Sequence, residues 1–121
     1  MTEDTTKRAL SAADILSAED LEVKEIHVPE WKGSVCLRVL PADVGLELDA
    51  KMKALTKENE PDALFILLGA CLCDKSGAPL FADEAQRAKL RSRSQKVLLR
   101  LQQEALRLQG WLPGEPSVKN G

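Results

Sequence analysis

The segment from Ala63 to Cys73 constrains the fold most, because it carries no charged side chain over eleven residues. It follows Asn59-Glu60-Pro61-Asp62, a helix-start signal in which Pro61 takes a position that the first helical turn tolerates. A helix that is apolar on every side has to be covered on every side. We therefore predict a helix here that forms the buried centre of the domain.

Length, charge and the chain ends limit the class of protein. The chain has 121 residues and a formal net charge of −2, which indicates one domain and does not favour nucleic acid or an anionic membrane as a partner. No apolar run approaches the roughly 18 residues of a membrane span, and the N-terminus lacks a secretory signal. We expect a cytoplasmic protein with a flexible N-terminus at residues 1–10, a single domain at residues 11–111 and a flexible tail at residues 112–121.

The first half of the chain predicts a β-hairpin. Leu21, Val23, Ile26 and Val28 alternate with polar residues, with a slip at Lys24 and Glu25 that is typical of a bulge. Residues 29–33 supply turn chemistry, and alternation resumes over residues 35–40.

Helical patterns dominate the remainder. Val44, Leu48 and Met52 form an apolar stripe, and N-cap residues precede helices at residues 84–90 and 95–109, with a further short helix at residues 11–16. Asp74-Lys75-Ser76-Gly77 predicts either a second short hairpin or an extended connection. The predicted fold class is α+β, with the N-terminal hairpin packed on a mainly helical domain of about four helices.

Catalytic and metal-binding motifs are absent from the sequence. The single histidine, His27, lies in a predicted strand with no partner nearby in sequence, and Cys71-Leu72-Cys73 has one intervening residue where zinc sites usually have two to four. The odd count of three cysteines favours reduced, packed thiols over disulfides. We predict a protein that is not an enzyme and that has no cofactor and no metal.

The last predicted helix has more apolar surface than one core contact needs. Val97, Leu98, Leu101, Ala105 and Leu108 share one face, while Leu99 and Leu106 lie seven residues apart on another flank. This surplus is explained either by self-association or by packing against Phe81 or the N-terminal segment. Residues 82–109 also hold seven basic and three acidic side chains, which leaves open an adaptor that binds nucleic acid through this helix.

A series of short motifs resembles a known family over about Leu21 to Trp111. The motifs are Val28-Pro29-Glu30-Trp31-Lys32-Gly33, the strand Val35-Cys36-Leu37-Arg38-Val39-Leu40, an apolar helix ending in Leu72-Cys73-Asp74-Lys75-Ser76-Gly77, then Leu80-Phe81-Ala82-Asp83 and a closing leucine-rich helix. Their order is similar to that of the tail assembly chaperones of long-tailed bacteriophages and prophages.

The resemblance implies a non-enzymatic protein of the host cytoplasm that is not part of the mature virion. It implies binding to the tape measure protein and recruitment of tail tube subunits during tail morphogenesis, with self-association of the chaperone. Because tape measure proteins are largely helical, we expect a helix-in-groove contact with partner-binding candidates Trp31, Leu99, Leu106, Arg100 and Arg107. Competing hypotheses are the nucleic-acid adaptor, a structural virion component such as a tube subunit, and an enzyme with an unfamiliar site.

Overall fold

The computed structural model describes residues 9–111, so most of the predicted flexible N-terminus and the whole of the predicted tail lie outside the described residues. The elements confirm the α+β class, and the described part contains five α-helices where about four were predicted. They run in the order α1 (Ala12–Leu16), β1 (Val23–Val28), β2 (Gly33–Arg38), α2 (Ala42–Lys53), α3 (Asp62–Cys71), β3 (Leu72–Cys73), α4 (Glu84–Ala88) and α5 (Gln95–Gln109). The single-domain division over residues 11–111 stays a prediction.

The N-terminal hairpin is regular, and the predicted bulge is wrong. β1 and β2 pair antiparallel without interruption from Val23 opposite Arg38 to Val28 opposite Gly33. The strand itself is continuous. The alternation of apolar and polar residues is interrupted because Lys24, a charged residue, lies on the same face as Ile26 and Val28. Its ammonium group reaches Glu104 of α5 at 3.4 Å, so a charged residue takes a helix-facing position at the end of the strand.

The predicted second hairpin is present in a minimal form. The Asp74 carboxylate accepts hydrogen bonds from the Ser76 amide at 2.8 Å, the Ser76 hydroxyl at 2.6 Å and the Ala78 amide at 3.1 Å, which closes the turn. Gly77 has φ +92°, a conformation that favours glycine. A single bridge joins Cys73 and Pro79.

The third strand enlarges the hairpin into a sheet, which the sequence did not predict. β3 pairs antiparallel with β2 through Cys36 opposite Cys73 and Leu37 opposite Leu72, so the strand order is β1-β2-β3. Because β3 continues directly from α3, this pairing joins the end of the apolar helix to the hairpin.

The core confirms α3 as the centre, although only its second half is buried. Leu67, Leu68 and Cys71 are at most 2% exposed and belong to one cluster with side chains of β2 and α5. Phe65 and Ile66 are only partly buried. The prediction that α3 is covered on every side is therefore wrong for its first half, and residues of α3 line two clefts.

Both ends of α5 follow their local sequence signals. The Ser94 hydroxyl accepts a hydrogen bond from the Val97 amide, and Gly110 ends the helix with φ +78°. The preceding helix is shorter than predicted: α4 ends at Ala88, and a 3-10 helix over Lys89–Ser92 continues the chain.

Candidate partner-binding surface

An apolar groove beside Leu106 lies between α2, α3 and the second half of α5. We call it the Leu106 groove; its volume is about 440 Å³. Its lining is mostly aliphatic and aromatic: Leu48, Met52, Ala63, Leu67, Leu106 and Trp111, with Asp49 and Gln102 as the polar members. An open groove of this composition can accept the apolar face of a helix.

Leu99 extends this surface along α5. It lies two helical turns before Leu106, hence on the same flank, and it is 43% exposed. The predicted pair therefore shares one side of the molecule, with Leu106 inside the groove and Leu99 beyond it. A large part of the Leu99 side chain is therefore accessible to a partner.

Arg100 lies on the opposite flank and is held by an ion pair. Its guanidinium donates to both carboxylate oxygens of Glu30, at 3.0 and 2.7 Å, which ties α5 to the turn of the hairpin. The hydrogen bond from Arg100 and the nearby charges of Arg100 and Lys96 lower the pKa of Glu30 to about 2. Arg100 thus contributes to the α5–hairpin contact.

Arg107 and Trp31 also lie apart from the groove. Arg107 pairs with Glu104 on the same helix at 3.5 Å. Trp31 belongs to a 3-10 helix over Pro29–Trp31 at the tip of the hairpin and packs against the core cluster while staying partly exposed. The five predicted residues therefore do not form one patch: Leu99 and Leu106 share a surface, while Trp31 and Arg100 lie on the hairpin side.

Sequence reasoning missed Trp111 and Met52 as groove residues. Trp111 is 48% exposed, and its amide donates to the Leu106 carbonyl at 2.9 Å after the turn at Gly110. The available signal was a tryptophan just after a helix-ending glycine, where a hydrophobic contact back to the helix is common. Met52 was assigned only to the apolar stripe of α2.

Ion pairs partly neutralise the basic C-terminal region. Three of its arginines face carboxylates: Arg91 with Asp62 at 2.6 Å, Arg100 with Glu30 and Arg107 with Glu104. A surface that binds phosphates needs basic groups available to them. These pairs weaken the nucleic-acid hypothesis.

The remaining candidate chemistry consists of packed thiols and an exposed imidazole. Cys71 is fully buried, and desolvation raises its pKa to about 12; burial also raises the pKa of Cys73. Thiols protonated in this way are poor nucleophiles at neutral pH. Among residues 9–111 there is no group of three or more His, Cys, Asp or Glu side chains placed to hold a metal ion.

Comparison with solved structures finds a similar protein of known fold. The chain is similar to the tail assembly chaperone of bacteriophage HK97, with 26% sequence identity and a TM-score of 0.56, over 79% of this chain and 90% of that one. The predicted family resemblance is confirmed. A neighbour of the tail assembly chaperone family supports a chaperone role for the chain and favours a non-enzymatic one.

No protein-family model and no curated protein matches the chain. Among the helices of the described residues, none has the length and apolar character needed to cross a bilayer.

Proposed function

We propose that this protein is a phage tail assembly chaperone that binds the tape measure protein and helps to recruit tail tube subunits during tail morphogenesis. The observation that carries the proposal is the similarity to the HK97 tail assembly chaperone over most of both chains. The proposal includes action in the host cytoplasm, absence from the mature virion and self-association of the chaperone.

The Leu106 groove is the client site in this proposal. A largely helical tape measure protein exposes apolar stripes until the tail is assembled, and covering one such stripe keeps the client soluble. The groove supplies Met52, Leu106 and Trp111 from three separate segments, and Leu99 extends the contact along α5. A helix with apolar residues at positions i, i+3 or i+4 and i+7 matches this arrangement.

Co-expression with the cognate tape measure protein tests the proposal. The chaperone is expected to keep the client in the supernatant and to elute with it. If the client precipitates to the same extent with and without this chain, the proposed function is wrong.

Groove variants then locate the contact. Leu106→Asp places a charge in the groove, and Trp111→Ala removes an exposed aromatic side chain with little effect on the core; each is expected to weaken client binding about tenfold or more. Leu46→Asp is the matched control, because Leu46 is an exposed leucine of α2 that does not line the groove. Equal binding by all three variants would contradict the groove assignment, and melting curves identify any variant that fails to fold.

A further inference from the structure

The segment that precedes the sheet exposes several large apolar side chains to solvent. We call residues 9–22 the N-terminal arm. It contains α1, which is held by a capping box: the Asp14 amide donates to the Ser11 hydroxyl at 3.1 Å, and the Ser11 amide donates to the Asp14 carboxylate at 3.0 Å. No residue of α1 is buried, and the large apolar side chains of the arm are all more than half exposed: Leu10, Ile15, Leu16 and Leu21.

The arm is also acidic. Between residues 9 and 22 it carries Asp14, Glu19, Asp20 and Glu22 and no lysine or arginine. A segment that combines exposed leucines with carboxylates fits a surface that combines an apolar floor with cations.

The protein itself contains such a surface. A cleft of about 560 Å³ lies between α2, α3 and α4, and we call it the arginine cleft. Its apolar members include Val44, Phe65, Ile66 and Phe81, all of which pack on the core while remaining partly exposed. Its basic members are Arg38, Lys51, Arg87 and Arg91.

Each arginine of this cleft uses only one side of its guanidinium group for contacts within the chain. Arg38 donates from Nε to the Ala70 carbonyl at 2.9 Å, and Arg87 donates from one terminal nitrogen to the Phe81 carbonyl at 3.0 Å. Arg91 pairs with Asp62 and lies over the Phe65 ring, 4.5 Å from its centroid. Because a guanidinium has five N–H donors, these contacts leave donors for a partner.

Gly69 makes the position of Arg87 possible. A Cβ atom at Gly69 would collide with the aliphatic part of the Arg87 side chain, which crosses α3 at this point. The glycine therefore lets Arg87 lie flat along the wall of the cleft instead of extending into solvent.

Acidic residues also line the cleft, and they limit what it can hold. Glu47, Asp62 and Glu84 are present, of which Asp62 is already paired with Arg91. Four basic side chains against these three carboxylates leave the lining with a net charge of +1. The balance favours an acidic partner whose apolar side chains reach the phenylalanines.

We propose that the N-terminal arm of one copy docks into the arginine cleft of a second copy. The arm does not occupy its own cleft, since Ile15 and Leu16 remain 58% and 86% exposed in the single chain. The contact buries Ile15 and Leu16 against Phe65 and Phe81 and places the carboxylates of the arm near the arginines. This inference gives the self-association within the proposed function a structural basis, and it does not involve the Leu106 groove.

Complementation between two defective variants tests the arm–cleft contact. The arm variant is Ile15→Ser/Leu16→Ser, which changes only exposed side chains. The cleft variant is Lys51→Glu/Arg91→Glu, with Lys57→Glu/Lys89→Glu as its control, because both doubles change the net charge equally and neither Lys57 nor Lys89 lines the cleft. Association is measured on the full chain by sedimentation velocity, alongside melting curves.

The expected pattern is specific to a contact between two different surfaces. The parent and the control double associate, whereas the arm and cleft variants are each at least about tenfold weaker. An equimolar mixture of the arm and cleft variants recovers association, because one arm and one cleft remain intact. Added salt weakens the association, since it screens the exposed charges.

Three results would overturn the inference. They are a parent chain that remains monomeric, arm and cleft variants that associate like the parent, and a mixture that shows no recovery. A cleft variant that fails to fold is replaced by Lys51→Glu alone, an exposed residue of α2. A monomeric parent would also remove self-association from the proposed function, whereas client solubility in the tape measure assay tests client binding separately.

Discussion

Single residues connect α5 to the hairpin through charge and hydrogen bonding. Lys24 with Glu104 and Glu30 with Arg100 join segments that are distant in sequence, and each group lies at the surface. Exposed pairs of this kind contribute little to stability individually. They lie on the side of α5 that faces the hairpin, while the Leu106 groove lies on the other side.

The Glu30–Arg100 pair makes a pH-dependent contribution to stability. The pKa of Glu30 falls from 4.5 to about 2 on folding, so its contribution is present above pH 4.5 and is lost as the pH falls through about 2. Glu30→Gln is expected to lower the melting temperature near neutral pH, and its difference from the parent should close below pH 4.5. The control is Glu25→Gln, which removes a charge of β1 that takes part in no ion pair among the described residues. If the effect of Glu30→Gln on the melting temperature did not depend on pH, the stabilising role of the Glu30–Arg100 pair would be contradicted.

Substitution of glycine by alanine is expected to change stability in opposite directions at Gly77 and at Gly45. Gly77 has φ +92°, so Gly77→Ala should destabilise the protein by about 1–2 kcal/mol. Gly45 lies within α2 with no atom within 4 Å of an added Cβ, so Gly45→Ala should stabilise it by about 0.5–1 kcal/mol. Urea unfolding measures the change in unfolding free energy for both substitutions. If both changes had the same sign, the backbone conformation of Gly77 in the Asp74–Gly77 turn would not explain the predicted difference.

At the scale of elements, Gln109 joins the end of α5 to the end of β2. Its side-chain amide donates to the Arg38 carbonyl at 2.8 Å, and its oxygen accepts from the Leu40 amide at 3.1 Å. One side chain therefore satisfies two partly buried backbone groups just beyond the sheet. This contact positions the last turn of α5, and with it Leu106 and Trp111.

Removing the Gln109 amide should destabilise the protein more than an ordinary surface change. Gln109→Ala leaves both backbone groups without these partners, and we expect a loss of about 1–3 kcal/mol in unfolding free energy. Gln103→Ala is the control, because Gln103 is an exposed residue of the same helix. Equal effects of the two substitutions in urea unfolding would contradict the bridging role.

At the scale of the whole molecule, one core cluster joins the sheet to the helices. Val28 and Leu37 of the hairpin share it with α3 and α5, and the strand β3 continues directly from α3. A hairpin that shares its core with the helices has little apolar packing of its own. The sheet and the helices should therefore unfold together.

Single-tryptophan variants test this coupling. Trp111→Phe leaves Trp31 as a reporter in the hairpin, and Trp31→Phe leaves Trp111 as a reporter at the end of α5. Within each variant, the tryptophan fluorescence and far-ultraviolet circular dichroism are expected to change at the same urea concentration. A fluorescence transition that precedes the loss of helix would show separately unfolding parts and would contradict a single domain.

Local signals determined most elements, while tertiary structure decided the surfaces. The capping residues Asp83 and Ser94 and the ends of α5 could be read from sequence, because a cap or a left-handed turn involves neighbours in the chain. The pairing of β3 with β2 and the helix-facing position of Lys24 could not, because each depends on which distant segment lies alongside. The spacing of Leu99 and Leu106 on a helix was enough to predict that they share a surface. Only the tertiary structure showed that Arg100 lies apart from them, that Trp111 joins the groove and that the arginine cleft lies beside Phe65.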